Sequence, residues 1–126
     1  MRKPRLLLVD DEKPFVANLL KLLSRRGYEV LAAYDGDSAL RLVEEQAFDV
    51  VILDQNMPGK DGITVLKELK KKWPDLEVVI LTGYGSLDLA LDGFELGAYD
   101  YTTKPIKLSD LEEKIGQAFR RKILRA

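Results

Sequence analysis

Cysteine and histidine are both absent from the 126 residues of this chain. Their absence excludes disulfide bonds, thiol nucleophiles and imidazole bases, together with the usual protein ligands of zinc and haem. Long apolar runs are missing too, since no stretch approaches the roughly 20 consecutive apolar residues of a membrane span. The basic start at residues 1–5 leads into an apolar stretch that Asp10 and Asp11 end, too soon for a signal peptide. We therefore expect a cytoplasmic protein without a membrane partner.

Charge of one sign is not in excess either, because the chain has 20 basic and 21 acidic residues and a net charge of −1. This balance gives no indication of nucleic acid as a direct partner. Hydrophobic residues make up 46% and charged residues 33% of the chain, as in ordinary globular proteins. At this length the simplest organisation is one domain over residues 1–126, with a single core.

The chain does contain short apolar runs rich in Val, Ile and Leu. They predict strands at residues 6–9, 28–34, 48–53, 76–81 and 98–101, with apolar residues at helical spacing between them. Short apolar strands that alternate with helices are typical of a parallel sheet covered on both faces. We predict an α/β fold in which right-handed crossovers build a doubly wound, five-stranded parallel sheet with five helices. The pattern leaves the order of the strands open.

Turn and cap residues mark the ends of the predicted helices. Pro14 suits the first turn of the first helix, and Asp35 caps the second. Pro74 stops the third helix. Ser86 is the expected cap of the fourth helix, which Gly97 ends.

The last helix is predicted to begin near Ser109. It is expected to bury the apolar residues Leu111, Ile115, Phe119 and Ile123. Its late basic residues are interpreted as a solvated face that suits the negative end of the helix dipole: Arg120, Arg121, Lys122 and Arg125. One glycine, Gly93, lies inside the fourth helix, where it destabilises the helix by roughly 1 kcal/mol relative to alanine.

Polar residues come just after four of the predicted strands. Asp10 and Asp11 follow the first strand, Asp54 the third, Thr82 the fourth and Lys104 the fifth. Parallel strands end at one edge of a sheet, and ligands of open α/β sheets bind there, so we expect these side chains to form one site. At an effective dielectric of 20, each close pair of carboxylates repels by roughly 4 kcal/mol. This repulsion and the oxygen donors favour a hard divalent cation, and a loose half-shell suits Mg²⁺ better than Ca²⁺.

Such a site has the groups for phosphoryl transfer. Asp54 could attack phosphorus to give an acyl phosphate, while Mg²⁺ and Lys104 neutralise its oxygens and Thr82 donates a hydrogen bond to one of them. The residue two positions after Asp54 is Asn56, which cannot act as a general acid for a leaving group. A slowly hydrolysing phosphoaspartate is typical of a switch rather than of a catalyst.

Four segments of the sequence resemble the receiver domain of two-component response regulators, a CheY-like family. They are residues 7–12, 53–62, 81–83 and 97–105, which read LLVDDE, LDQNMPGKDG, LTG and GAYDYTTKP. The resemblance covers the whole chain. It implies a flavodoxin-like fold with strand order 2-1-3-4-5.

The resemblance also implies a role for each site residue. Asp54 would be the phosphoacceptor, Lys104 would bind the phosphoryl group through a cis Lys104-Pro105 segment, and Thr82 and Tyr101 would be the switch pair. The implied Mg²⁺ ligands are Asp10 through water, Asp11 and Asp54 directly, and the backbone carbonyl of Asn56.

The partners that the resemblance implies are a sensor histidine kinase as phosphodonor and a downstream effector domain or protein. The signal would pass through the surface of the fourth helix, fifth strand and fifth helix. A homodimer on activation is left open. The segment at residues 97–101 is most similar to receivers attached to transcriptional activators of the nitrogen-regulation type.

Two other functions are weighed against this one. A Mg²⁺-dependent phosphatase of the haloacid dehalogenase type also uses Asp, Thr and Lys, but its nucleophile lies on the first strand and a second Asp follows two residues later, where this chain has Asn56. A phosphorylation-independent interaction module has usually lost one of the acids or the lysine. Taken singly, Asp11 could cap the first helix, Lys104 could be an ordinary exposed lysine, and Tyr101 could be a core aromatic.

Overall fold

A computed structural model describes residues 2–83 and 87–125 of the chain. Strands and helices alternate along it, as predicted. Their bounds are β1 Leu6–Val9, α1 Lys13–Arg25, β2 Val30–Ala33, α2 Gly36–Glu45, β3 Val50–Leu53, α3 Gly62–Lys72, β4 Glu77–Thr82, α4 Leu87–Glu95, β5 Asp100–Thr103 and α5 Leu108–Arg125. Within the described residues no helix combines the length and the apolar character that a membrane crossing requires.

The five strands form one parallel sheet in the order β2-β1-β3-β4-β5. This order confirms the flavodoxin-like topology. In register, Leu8 lies opposite Ile52 and Ile80 lies opposite Tyr101. All residues of β1, β3 and β4 are buried, because helices cover both faces of the sheet.

Alternate residues of each strand enter two separate cores. Leu7, Val9 and Ile80 belong to the core under α2 and α3, whereas Leu8 and Leu81 belong to the core under α1 and α5. This alternation follows from the two-residue period of a strand. The residues that follow the strands are thereby placed along one edge.

The fifth strand differs most from its predicted bounds, since it runs from Asp100 to Thr103 rather than over residues 98–101. Ala98 is still bonded to the end of α4, because its amide donates to the Gly93 carbonyl at 2.9 Å. The strand continues through polar Thr103 because that residue pairs in register with Thr82. Backbone pairing therefore decides the end of this strand, and the apolar run does not.

Helix α5 buries Leu111, Ile115 and Phe119 as predicted, but Ile123 is 41% exposed, so its predicted burial is wrong. The 18-residue helix is about 27 Å long. The longest strand has six residues and spans only about 20 Å. The last turn of the helix therefore extends past the sheet that buries its earlier residues.

The structure accounts for both Asp35 and Gly93. Asp35 caps α2 as predicted, with its carboxylate accepting a hydrogen bond from the Ser38 amide at 2.8 Å. Gly93 is explained by packing, because a Cβ on it would lie 3.1 Å from Cδ1 of Ile80. The glycine lets α4 approach β4 closely. The expected cap Ser86 lies outside the described residues.

The edge of the sheet opposite the predicted site holds two buried carboxylates. Glu77 is fully buried and pairs with Lys70 at 3.2 Å and with Arg121. Asp49 is 4% exposed and pairs with Arg2 at 2.6 Å and Lys122 at 3.1 Å. Arg121 and Lys122 therefore pair with buried carboxylates, and the prediction that they form only a solvated helix face is wrong.

Burial alone would raise the pKa of Asp49, but hydrogen bonds outweigh it. They come from the Arg2 side chain, the Arg5 amide and the Lys122 side chain, and they lower the pKa from 3.8 to about 2. These ion pairs tie α5 and the start of the chain to the lower ends of β3 and β4.

Candidate functional site

Side chains from four strands meet at the carboxyl edge of the sheet. Asp10 follows β1 and Lys104 follows β5, and Lys104 Nζ lies 2.6 Å from Asp10 Oδ2. Asp54 follows β3, and Thr82 ends β4. The Asn56 side-chain amide donates a hydrogen bond to the Thr82 hydroxyl at 3.1 Å. The structure therefore brings together residues up to 94 positions apart in the sequence.

Three carboxylates converge at this edge. Asp10, Glu12 and Asp54 each offer an oxygen within 4.8 Å of the others. Asp10 and Asp54 are buried, with exposed fractions of 1% and 3%, whereas Glu12 is exposed. Glu12 was not among the predicted site residues, although it is the third acidic residue of the run after β1 and so carried a signal for such a role.

Asp11 lies outside that group of three but close to it. Together with Glu12, Asp54, Asn56 and Gly83, it lines a surface pocket of about 320 Å³. The N-cap residue of α1 is Glu12 rather than Asp11, and its side chain makes no capping hydrogen bond. The alternative of Asp11 as that cap therefore finds no support, and its side chain remains beside the site.

The environment of Asp54 favours its protonated form. Burial raises its pKa most, and the neighbouring charge of Asp10 raises it further. Hydrogen bonds from the Thr82 hydroxyl and the Asn56 amide, with the positive charge of Lys104, act against this rise without cancelling it.

One oxygen of the Asp54 carboxylate, Oδ1, is buried and has no hydrogen-bond partner among residues 2–83 and 87–125. Buried carboxylate oxygens are costly without a partner. An oxygen in this position, beside two further carboxylates, fits a hard divalent cation and a transferred phosphoryl group. The acidic cluster is typical of a Mg²⁺ site.

Lys104 is well embedded in this site, since its side chain is only 12% exposed. Its ammonium contacts Asp10, and it also lies 2.7 Å from Glu12 and 4.2 Å from the centre of the Phe15 ring. Burial lowers its pKa, but the hydrogen bonds to Asp10 and Glu12 outweigh burial and raise it. The alternative of an ordinary exposed lysine is therefore wrong, and the Lys104-Pro105 bond is cis as expected.

Thr82 and Tyr101 lie on the same face of the sheet. Thr82 is fully buried and pairs with Thr103, two residues after Tyr101 on β5. Tyr101 is half-buried and packs against the core under α2 and α3. The two side chains are therefore placed on adjacent strands near the site.

The loop after Asp54 is tied to the start of α3. The Gln55 carbonyl accepts from the Gly62 amide at 3.0 Å, and the Gln55 side chain accepts from the Ile63 amide at 2.8 Å. A Cβ on Gly62 would lie 2.6 Å from the backbone oxygen of Asp54. Glycine therefore permits the close approach that holds the loop beside the acidic cluster.

Comparison with known proteins agrees with this geometry. The chain matches the model of the response regulator receiver domain over residues 6–116. It belongs to this family. A receiver domain protein from Clostridium thermocellum is 40% identical over 97% of this chain and 98% of its own, with a TM-score of 0.91. A CheY-like receiver domain protein from Methanospirillum hungatei is 28% identical over 99% and 100%, with a TM-score of 0.93.

Receiver domains also occur as parts of longer proteins. NtrX from Brucella abortus, solved in complex with ATP, is 34% identical over 98% of this chain but only 28% of its own, with a TM-score of 0.91. Receiver domains act in two-component signal transduction, where they pair with histidine kinases and effector domains and are typically switches rather than enzymes. The family match removes the phosphatase alternative, and the acidic cluster agrees with the phosphoacceptor site of the family.

Proposed function

We propose that this chain is a phosphorylation-controlled switch in which Asp54 accepts a phosphoryl group from a sensor histidine kinase. The main support is the Asp54 carboxylate, which is buried, has an oxygen without a partner in the described residues, and lies beside the carboxylates of Asp10 and Glu12 and the ammonium that they bind. Residues 1–126 would form one receiver domain that catalyses only its own phosphorylation and dephosphorylation.

The reaction would be an in-line transfer. An oxygen of Asp54 forms a bond to phosphorus while the bond from phosphorus to the donor histidine of the kinase breaks. Asp10, Asp11, Asp54 and the backbone carbonyl of Asn56 would hold Mg²⁺. When bound, the ion offsets the negative charge of the carboxylates and of the phosphoryl oxygens.

Lys104 and Thr82 would bind the phosphoryl group once it is on Asp54. The ammonium already lies 2.6 Å from Asp10, so a small side-chain rotation would be enough to share it with a phosphoryl oxygen. The Thr82 hydroxyl would donate a hydrogen bond to another oxygen. This chain need not supply a general acid, because the donor imidazole, protonated on its other ring nitrogen, takes the electron pair of the broken bond and leaves as neutral imidazole.

The output would pass through the surface of α4, β5 and α5. Thr82 would move toward the phosphoryl group, Tyr101 would turn inward on the same face, and α4 would shift with them. Among the described side chains of α4, Leu91 is 50% exposed and Phe94 is 48% exposed. They would contribute contacts to a downstream effector domain or protein, or to a homodimer formed on activation.

Intact mass after incubation with acetyl phosphate and Mg²⁺ tests this proposal. We expect one phosphoryl group on the parent, stable in acid and labile in base, and none on Asp54→Asn. Asp75→Asn is a matched control, because Asp75 is an exposed acid in the loop between α3 and β4. Label on Asp54→Asn would refute the assignment of the acceptor, and no label on the parent would favour a phosphorylation-independent module.

A further inference from the structure

Glu12 contacts the ammonium of Lys104, yet neither the phosphoacceptor role nor the expected ligand set uses Glu12. Its carboxylate lies 2.7 Å from Lys104 Nζ, and its side chain is 60% exposed. The same ammonium contacts Asp10 at 2.6 Å, and that side chain is 2% exposed. Lys104 is therefore held by one buried and one exposed carboxylate.

Among the described residues, the side chains that contact this ammonium come from the end of β1 and the start of α1. They are Asp10, Glu12 and the ring of Phe15. The backbone of Lys104 is fixed separately, because its amide donates to the Thr82 carbonyl at 2.8 Å. A change in the position of the ammonium is therefore a rotation of the side chain, away from Glu12 or toward it.

We propose that Glu12 is a positioning residue that holds Lys104 on the α1 side of the site and so weakens its hold on a phosphoryl group at Asp54. The proposal rests on the function proposed above. A phosphoryl group on Asp54 competes with Glu12 for the donors of the ammonium. Glu12 also has an oxygen within 4.8 Å of Asp10 and Asp54 oxygens, so its charge repels an anionic group there.

Of the two acids that contact Lys104, Glu12 is the one whose contact can change easily, because its side chain is exposed. Asp10 is buried and its loss would disturb the whole cluster, whereas the contact of Glu12 with Lys104 can break into solvent. Exposed ion pairs contribute little because water and salt screen them. We therefore expect loss of the Glu12 contact to strengthen phosphoryl binding by about two- to fivefold, not by orders of magnitude.

The test uses trifluoroberyllate, a stable mimic of a phosphoryl group on a carboxylate, titrated calorimetrically at saturating Mg²⁺. Glu12→Gln should bind the mimic about two- to fivefold more tightly than the parent. Glu12→Asp retains the charge but is one methylene shorter, so it should show part of this gain. Glu29→Gln is the matched control, because Glu29 forms an exposed ion pair of the same length, 2.7 Å, with Arg5 at the opposite edge.

A second readout follows the contact itself. The ammonium of Lys104 should give a protected ¹H–¹⁵N signal by NMR in the parent, and this protection should decrease in Glu12→Asp. Unchanged or weaker binding of the mimic by Glu12→Gln refutes the proposal. So does a loss of Mg²⁺ affinity greater than about tenfold, since Glu12 would then be a metal ligand.

Failure of the proposed function has a different outcome. A parent protein that binds neither the mimic nor a phosphoryl group refutes the phosphoacceptor role and the role of Glu12 with it. A parent that binds both, with Glu12→Gln indistinguishable from it, refutes the role of Glu12 alone.

Discussion

The buried charge of Asp54 leads to a prediction about stability. Its pKa is raised by burial and by Asp10, so the fold disfavours the carboxylate relative to the unfolded chain. A carboxyl group whose pKa is higher in the folded state costs stability at neutral pH. This cost decreases as the pH falls below the folded-state pKa, and it is gone below the pKa of the unfolded chain. Asp54→Asn should therefore stabilise the Mg²⁺-free protein at pH 7.

The magnitude follows from the geometry of the cluster. Oxygens of Asp54 and Asp10 lie within 4.8 Å, which corresponds to a repulsion of at least roughly 3.5 kcal/mol at an effective dielectric of 20. Attraction to Lys104 and the hydrogen bonds of Asp54 offset part of this energy. We expect a net gain of about 1–2 kcal/mol in the free energy of unfolding.

Urea denaturation at pH 7, with EDTA and then with Mg²⁺, measures this difference. The variant should be more stable than the parent in EDTA. Mg²⁺ at ten times its dissociation constant should stabilise the parent by about 1.4 kcal/mol and the variant by much less. Asp75→Asn removes the same charge at an exposed position and should change stability by less than about 0.5 kcal/mol.

Either of two results would refute this prediction. If Asp54→Asn is no more stable than the parent in EDTA, the carboxylate is not under electrostatic stress in the metal-free protein. If the variant gains as much stability from Mg²⁺ as the parent does, the ion does not bind at this cluster.

Three further predictions concern other parts of the fold. The pKa of Asp49 falls from 3.8 to about 2 on folding, so the ionised carboxylate stabilises the folded protein above about pH 4. Asp49→Asn should therefore lower the free energy of unfolding by about 2 kcal/mol at pH 7. Urea titrations should show this difference decreasing between about pH 4 and pH 2. Gly62→Ala should destabilise the protein by more than about 2 kcal/mol and slow phosphorylation by acetyl phosphate, whereas Gly83→Ala, whose added Cβ would meet no described atom within 4 Å beyond its chain neighbours, should leave the free energy of unfolding unchanged. Asp35→Ala should cost about 1 kcal/mol by thermal melting, because it removes the cap of α2.

Much of the fold could be predicted from local patterns. The apolar runs gave the number and sequence of the strands, and the cap Asp35 was identified from the residues around it. The ends of β5 could not be predicted, because they depend on pairing with Val79 and Thr82 on the neighbouring strand. The exposure of Ile123 depends on how far α5 extends past the sheet, which helical spacing does not reveal.

The candidate site, too, was predictable from the sequence only in part. The positions of Asp10, Asp54, Thr82 and Lys104 just after apolar runs indicated that they meet at one edge, since parallel strands all end there. The partner of Lys104 was not predictable. Its ammonium has several acids within reach, and the paths of the loops after β1 and β5 bring Glu12 to it across 92 residues.

The sequence by itself therefore determined the class of fold and the edge of the sheet that carries the chemistry. Both follow from the spacing of apolar residues and from the turn-forming residues between the strands and helices, which are local properties of the chain. Only the tertiary structure decided which charges pair: Lys104 with Glu12, and Arg121 with Glu77, 44 residues apart. Ion pairs of this kind depend on distances between elements remote in the sequence, and their strength depends on burial, which a chain acquires only when it packs.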